Sequence, residues 1–204
     1  MKRWINIILV YVMIVGVCVL VYGGYSHFST KSKGVETLVQ AQEILEQRED
    51  IPEEVSVIDV KDEFKNSLSI GDVIGQLTIP KLDGVLPIVE GVNEDELSKG
   101  VGHYQGTSFP LDNNQIVLSG HRDTVFRGMG DLEIGDTMTV SLPYGDFEYE
   151  IYEMYVTGAD DLSVIVPHDE EVLTVTTCYP FNFIGNAPDR YIINAKPLFN
   201  TDVK

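Results

Sequence analysis

The clearest indication of the fold is at residues 136–156, DTMTVSLPYGDFEYEIYEMYV. Apolar and polar residues alternate on both sides of Pro143-Tyr144-Gly145, a pattern typical of two strands joined by a tight turn. Apart from a short helix predicted after Asn93, similar strand-like runs separated by Gly, Pro, Asn and Asp fill the chain from about residue 70: 75–82, 85–90, 115–120, 171–177 and 190–196. Seven or eight short strands with few helices predict an antiparallel sandwich or a closed barrel.

The composition excludes several classes of protein. The chain has 204 residues, with 14 Lys and Arg against 32 Asp and Glu, and a formal net charge of −18. Such an acidic protein repels phosphates, so we expect no nucleic-acid partner. Two cysteines, Cys18 and Cys178, are too few for a disulfide framework, and the sequence lacks the CxxC-like spacing of a zinc site.

Residues 5–25, INIILVYVMIVGVCVLVYGGY, form an apolar run that in a helix is long enough to cross a bilayer core of about 30 Å. Lys2 and Arg3 precede it, which predicts that residues 1–4 stay in the cytoplasm and the remainder lies outside the cell. A cleaved signal peptide is the alternative, but its apolar region is shorter and ends in a small-x-small site that YGGY at 22–25 matches poorly. We therefore predict a single-pass anchor in the cell membrane.

Residues 26–69 are predicted to be a helical and acidic linker. A polar segment at 26–34 precedes an amphipathic pattern at 35–50, which Ile51-Pro52 ends, and the acidic residues at 53–65 predict a tether. The β-rich domain that follows, residues 70–204, is long enough to bury a core of its own.

Three residues at strand ends carry reactive chemistry: His121 after QIVLSG, Cys178 after LTVTT, and Arg190 at the start of the last strand. Each alone can be explained by an ordinary structural role: a histidine hydrogen-bonded within the fold, a buried thiol or a solvated charge. Together they predict a cysteine transferase or hydrolase. Cys178 would be the nucleophile, His121 would protonate a leaving amine, and Arg190 would hold an oxyanion or the substrate backbone.

The sequence motifs around these residues resemble those of the sortase family. Gly120-His121-Arg122-Asp123-Thr124-Val125-Phe126 and Thr174-Val175-Thr176-Thr177-Cys178 match the family's His and Cys motifs, with Val175 in place of the usual Leu. Further resemblance lies in IPKL at 79–82 and GVGHY at 100–104. The match covers about residues 70–200 and keeps the family's order of His, Cys and Arg.

This resemblance implies an eight-stranded sortase-type β-barrel and a cysteine transpeptidase that needs no cofactor. Sortases cleave a C-terminal Leu-Pro-x-Thr-Gly-like sorting signal after the Thr and pass the acyl group to an amine of lipid II or the cell-wall peptide. The implied partners are surface proteins bearing that signal. Cys178 would form the thioester, His121 would be acid and then base, and Arg190 would stabilise the oxyanion or position the signal. Thr177 and Asp123 are predicted to contact substrate; strand packing and turn formation are their alternative roles.

Several alternatives stay open at this point. The His121 neighbourhood and the single anchor look like class D sortases of Gram-positive bacteria, with a housekeeping class A enzyme as the alternative. Class A members can bind calcium through acidic loop residues, and acidic residues precede the Cys strand here at 160, 161 and 169–171, although a solvated loop explains them equally. His103 is predicted to be structural. A catalytically inactive membrane-tethered barrel that binds surface peptides is the rival from another functional class.

Overall fold

The chain forms a closed barrel of eight strands, as the sequence predicted. The structure is a computed structural model that describes residues 2–50, 56–182, 185 and 187–199. The strands are β1 (Val73–Ile79), β2 (Gly84–Glu90), β3 (Val101–His103), β4 (Gln115–Gly120), β5 (Thr137–Leu142), β6 (Gly145–Gly158), β7 (Val172–Tyr179) and β8 (Asp189–Pro197). Around the barrel the order is β1-β2-β3-β4-β7-β8-β6-β5.

The hairpin predicted at 136–156 is confirmed, because β5 pairs with β6 and Leu142 lies opposite Gly145. Two neighbouring pairs in this barrel are parallel, which the sequence did not indicate: β2 runs parallel to β3, and β4 runs parallel to β7. Parallel neighbours need a crossover connection. The short helix α3 (Glu94–Leu97) lies in the crossover between β2 and β3.

The interior of the barrel is filled by apolar side chains that alternate along the strands, which explains why the strands form where period-two patterns occur. The largest fully buried members come from every part of the chain after residue 70 and include Leu77, Ile88, Leu118, Met138, Tyr149, Leu173 and Ile193. Because β4 and β7 are parallel, they finish at the same end of the barrel, which is here named the upper end. The β5–β6 turn lies at the opposite, lower end.

The helix α1 (Lys2–Glu46) is longer than predicted, since its backbone continues without interruption through the segment 26–34 that the sequence suggested was a linker. Its stretch Asn6–Gly23 is apolar and long enough to cross a membrane, and no part of it is buried against the barrel. The later part of α1 packs on β1 and β2 and buries Thr37 and Ala41.

A second helix, α2 (Val57–Ser67), stands where the sequence suggested an acidic tether; residues 51–55 lie outside the described part of the chain. Ser56 begins it by accepting a hydrogen bond on its hydroxyl from the Ile58 N–H at 3.2 Å. Phe64 packs against the rings of Phe109 and Tyr144. The helix therefore packs on the barrel through an apolar face. The many acidic residues of this segment made that face hard to recognise in the sequence.

Two lysines of α2 fix it to one carboxylate. Lys61 Nζ lies 2.8 Å from Asp112 Oδ1, and Lys65 Nζ lies 2.6 Å from Oδ2. Burial acts to raise the pKa of Asp112, but the hydrogen bonds from the two lysines outweigh it and hold that pKa below its ordinary value. A carboxyl with a lowered pKa stabilises the fold above its unfolded-state pKa and loses that contribution as the pH falls through the folded value.

We expect Asp112→Asn to lower the free energy of unfolding by about 1.5–3 kcal/mol at neutral pH, because two hydrogen bonds from charged groups lose their charged acceptor. Urea unfolding of the full chain in detergent measures this. The difference from wild type should shrink as the pH falls below the ordinary carboxyl pKa of about 4. Asp62→Asn removes one charge from an exposed site on the same helix and serves as the matched control. An equal loss in both variants would contradict the assignment.

Candidate active site

Strand pairing brings His121, Cys178 and Arg190 together at the upper end of the barrel. Gly120 on β4 lies opposite Thr177 on β7, so His121 emerges from β4 beside the position of Cys178. Cys178 in turn lies opposite Arg190 on β8. Neighbouring strands are about 4.8 Å apart, so three residues far apart in sequence share one surface.

These three residues line a common groove of about 440 Å³. Cys178 is partly exposed and His121 is 36% exposed at its side chain, so an incoming substrate can reach both. Much of the groove wall is apolar, and the side chains that supply it come from five separate segments: Val92, Leu97, Tyr104, Val117, Leu162, Val164, Ile165 and Ile192. Leu162, in the loop between β6 and β7, is 84% exposed.

The guanidinium of Arg190 is held by the backbone of the loop that precedes β8. Its Nη1 donates to the Asp189 carbonyl at 3.0 Å and to the Ala187 carbonyl at 3.4 Å. Such contacts limit the directions in which the side chain can point, while its other N–H groups can bind an acceptor in the groove.

Thr177 has a structural contact that the sequence could not assign. Its buried hydroxyl donates to the Gly120 carbonyl at 2.7 Å, which ties β7 to the residue just before His121. Gly120 itself has no room for a side chain, because a Cβ there would lie 2.6 Å from the ring of Phe126 and 2.7 Å from Val125. The turn that carries His121 is therefore clamped from both sides.

Asp123 lies beside an arginine instead of the candidate catalytic histidine: its Oδ2 is 3.4 Å from Arg122 Nε. Among the described residues, the carboxylate within 4 Å of the His121 ring is that of Glu94, with Oε2 3.7 Å from Nε2. Glu94 is largely exposed, so solvent screens this pair and weakens it. The sequence placed Glu94 only in the short helix predicted after Asn93, since the contact with His121 depends on where the crossover lies.

Arg122 is a second residue whose role the sequence left unassigned. It is only 8% exposed, yet it carries a charge. Its Nη1 donates to the Pro180 carbonyl at 2.8 Å and its Nη2 to the Gly185 carbonyl at 3.0 Å. The residue that follows His121 in sequence therefore holds the segment that follows Cys178, and it couples the two halves of the site.

His103, by contrast, is structural, as predicted. It is buried, with Nδ1 2.6 Å from Glu90 Oε2 and Nε2 3.1 Å from the Ser108 carbonyl. These contacts saturate both ring nitrogens. They hold the loop after β3 against the end of β2 and leave no free nitrogen for chemistry in the groove.

The acidic residues before β7 are partly occupied by contacts within the protein. The Asp161 carboxylate accepts from the Ser163 N–H at 3.0 Å and also from the hydroxyls of Ser163 and Thr157. Glu171 accepts from Tyr149 and from the Leu111 N–H, each at 2.7 Å. Across residues 2–50, 56–182, 185 and 187–199, no three His, Cys, Asp or Glu side chains cluster as a metal site would require.

Comparisons with known proteins agree with this geometry. The Sortase domain family model matches residues 77–198. The chain is 44% identical over 197 residues to Sortase D of Bacillus subtilis (strain 168), covering 94% of this chain and 98% of that one. Among solved structures, a Clostridium perfringens Sortase D5 transpeptidase superposes with a TM-score of 0.69 at 29% identity, over 82% of this chain and 99% of the other. A Clostridium perfringens sortase C solved with the C-terminal cell wall sorting motif gives 0.67 at 23% identity, over 79% and 99%, and so shows a likeness of fold.

We expect Arg122→Lys to lower the free energy of unfolding by about 1–3 kcal/mol, because one ammonium cannot span the two carbonyls that the guanidinium fork bridges. Amide exchange at residues 179, 181 and 182 should also become faster. Arg127→Lys is the matched control, since Arg127 is exposed and donates to the Asp123 carbonyl at 3.0 Å. Unchanged stability and unchanged exchange in Arg122→Lys would show that Arg122 does not hold this segment.

Proposed function

Because this chain belongs to the sortase family, whose members are cysteine transpeptidases of the cell surface, we propose that it is a membrane-anchored class D sortase. It cleaves a Leu-Pro-x-Thr-Gly-like sorting signal after the Thr and joins the surface protein to an amine of lipid II or the cell-wall peptide. One observation carries the proposal: the registers of β4, β7 and β8 bring His121, Cys178 and Arg190 to one groove.

In the first step, the Cys178 thiolate attacks the carbonyl carbon of the signal's Thr. The oxygen of the tetrahedral intermediate is negative, and the Arg190 guanidinium stabilises it from the neighbouring strand. The imidazolium of His121 gives its proton to the nitrogen of the leaving amine, the C–N bond breaks, and a thioester remains on Cys178.

In the second step, the amine of the acceptor attacks the thioester carbonyl. His121, now neutral, takes the proton that this amine loses, the C–S bond breaks, and the thiolate of Cys178 returns. The reaction therefore exchanges one amide for another and needs no cofactor. Thr177 supports it by holding the His121 turn through Gly120, and Asp123 at the exposed edge of that turn is available to contact a cationic group of the substrate or acceptor.

The test is mass spectrometry of the full chain in detergent, incubated with a panel of Leu-Pro-x-Thr-x peptides and an amine acceptor. We expect an acyl adduct on Cys178 and cleavage after Thr, with no adduct in Cys178→Ala. His121→Ala should lower kcat/KM by about 10²–10⁴-fold and Arg190→Ala by about 10²–10³-fold. Cys18→Ser, which alters the other thiol, should react normally. A folded protein with a reduced thiol that forms no adduct with any peptide would instead favour the inactive binding module.

We also expect the exposed Leu162 to contact the apolar residues of the signal, because it projects beside an apolar groove wall. Leu162→Ser should raise KM for the peptide about tenfold, equivalent to about 1.4 kcal/mol, while kcat changes little. Ile134→Ser removes an apolar side chain that is 67% exposed outside the groove and is the control. An equal KM for Leu162→Ser and wild type would place the apolar contact elsewhere.

A further inference from the structure

The path of α1 along the barrel indicates how the barrel is oriented relative to the membrane. The helix is continuous from the candidate span at Asn6–Gly23 to Glu46, and its later part is packed on β1 and β2. A continuous helix transmits direction, unlike a flexible linker. The inference drawn from it rests on the membrane anchor of the proposed function.

The part of α1 nearest the candidate span contacts the upper end of the barrel. Gly34 lies beside Lys99, the second residue after α3: a Cβ on Gly34 would be 3.6 Å from the Lys99 carbonyl oxygen. Val35 and Leu38 line a small apolar cavity together with Leu97 of α3 and Val125, which follows His121 by four residues. These contacts place the near end of α1 on the same end of the barrel as the candidate active site.

The far end of α1 contacts the lower end of the barrel. Arg48, in the 3₁₀ turn that continues the helix, forms a two-pronged contact with Asp146, at 3.1 Å and 2.8 Å to its two oxygens. It also donates to the Leu142 carbonyl at 3.4 Å. Leu142 and Asp146 flank the β5–β6 turn. The fourteen steps from residue 34 to residue 48 cover about 21 Å at the α-helical rise, close to the roughly 20 Å that a six-residue strand spans.

We infer that the upper end of the barrel, with the groove of His121 and Cys178, faces the membrane surface. The helix rises from the bilayer, meets the barrel first at the upper end, and runs along the wall to the lower end. Gly34 is eleven helical steps beyond Gly23, so the upper end stands about 16 Å beyond the apolar span. The lower end lies about 20 Å farther out.

The charge of the chain supports the inference that the rigid helix α1 sets the distance between the barrel and the membrane. With a net charge of −18, the protein as a whole is repelled by anionic headgroups, so electrostatic attraction does not draw the barrel onto the lipid surface. The partner that this orientation favours is a peptide or an amine that is itself held at the membrane. Such a substrate enters the groove at its membrane-facing end, without crossing the length of the barrel.

The test measures height directly by fluorescence energy transfer in proteoliposomes of phosphatidylethanolamine and phosphatidylglycerol with a headgroup-linked acceptor. The full chain carries Cys18→Ser and Cys178→Ala, so that a single introduced cysteine takes the donor dye. Thr124→Cys and Asp160→Cys place the dye at opposite sides of the upper end, and Asp169→Cys places it at the lower end, all three at exposed positions. We expect stronger transfer from positions 124 and 160 than from 169.

The helix itself supplies the second arm of the experiment. Thr30→Pro interrupts the helix between span and barrel, since proline lacks the donor and clashes with the preceding turn. It should reduce the difference in transfer between the upper and lower labels, whereas Thr30→Ala should preserve that difference. Retention of the full difference in Thr30→Pro would show that the helix does not hold the barrel in this orientation.

The outcomes separate this inference from the proposed function. Flotation of the proteoliposomes first reports whether the chain is anchored at all; failure there overturns the anchor. Equal transfer from all three labels, or stronger transfer from 169, in an inserted protein overturns the orientation alone. The measurement uses no substrate, so it stands whatever the peptide assay shows.

Discussion

The parallel pairing of β4 with β7 is the contact on which the rest of the molecule depends. These strands are separated in sequence by the whole β5–β6 hairpin, yet Gln115 to Gly120 pair with Val172 to Thr177 in continuous register. A shift of one residue would turn every side chain of a strand to the opposite face, so this register decides both the core and the site. The Thr177 hydroxyl on the Gly120 carbonyl fixes it at the upper end.

Around that pairing, the reactive groups are held by the backbone of neighbouring segments. Arg190 is steadied by the carbonyls that precede it, and Arg122 binds the carbonyls that follow Cys178. A carbonyl cannot ionise, so these contacts do not depend on the protonation states of His121 and Cys178. Such support outside the reacting set is how a protein keeps a nucleophile and its acid–base partner in a fixed geometry.

The two helices before the barrel, α1 and α2, pack on its outer surface. The helix α2 packs on the barrel at Phe109 and Tyr144, and two of its lysines bind the carboxylate of Asp112. The helix α1 joins the candidate membrane span to the barrel wall, and Arg48 in the 3₁₀ turn after it binds Asp146. A flexible polar tether would leave the groove free to face any direction, whereas the packed helix α1 holds the groove in one orientation.

Features that depend on near neighbours were predictable from the sequence: the hairpin at 136–156, the apolar run at 5–25, and the motifs around His121 and Cys178. Period-two alternation and a span length are local properties, so they can be recognised in a few residues. Four other features became visible only in the folded chain: the parallel pairing of β4 with β7, the burial of Arg122 against Pro180, the approach of Glu94 to His121, and the direction of α1 along the wall. Each of these joins segments far apart in the chain, and closure of the barrel selects it, since many other pairings satisfy the same local patterns.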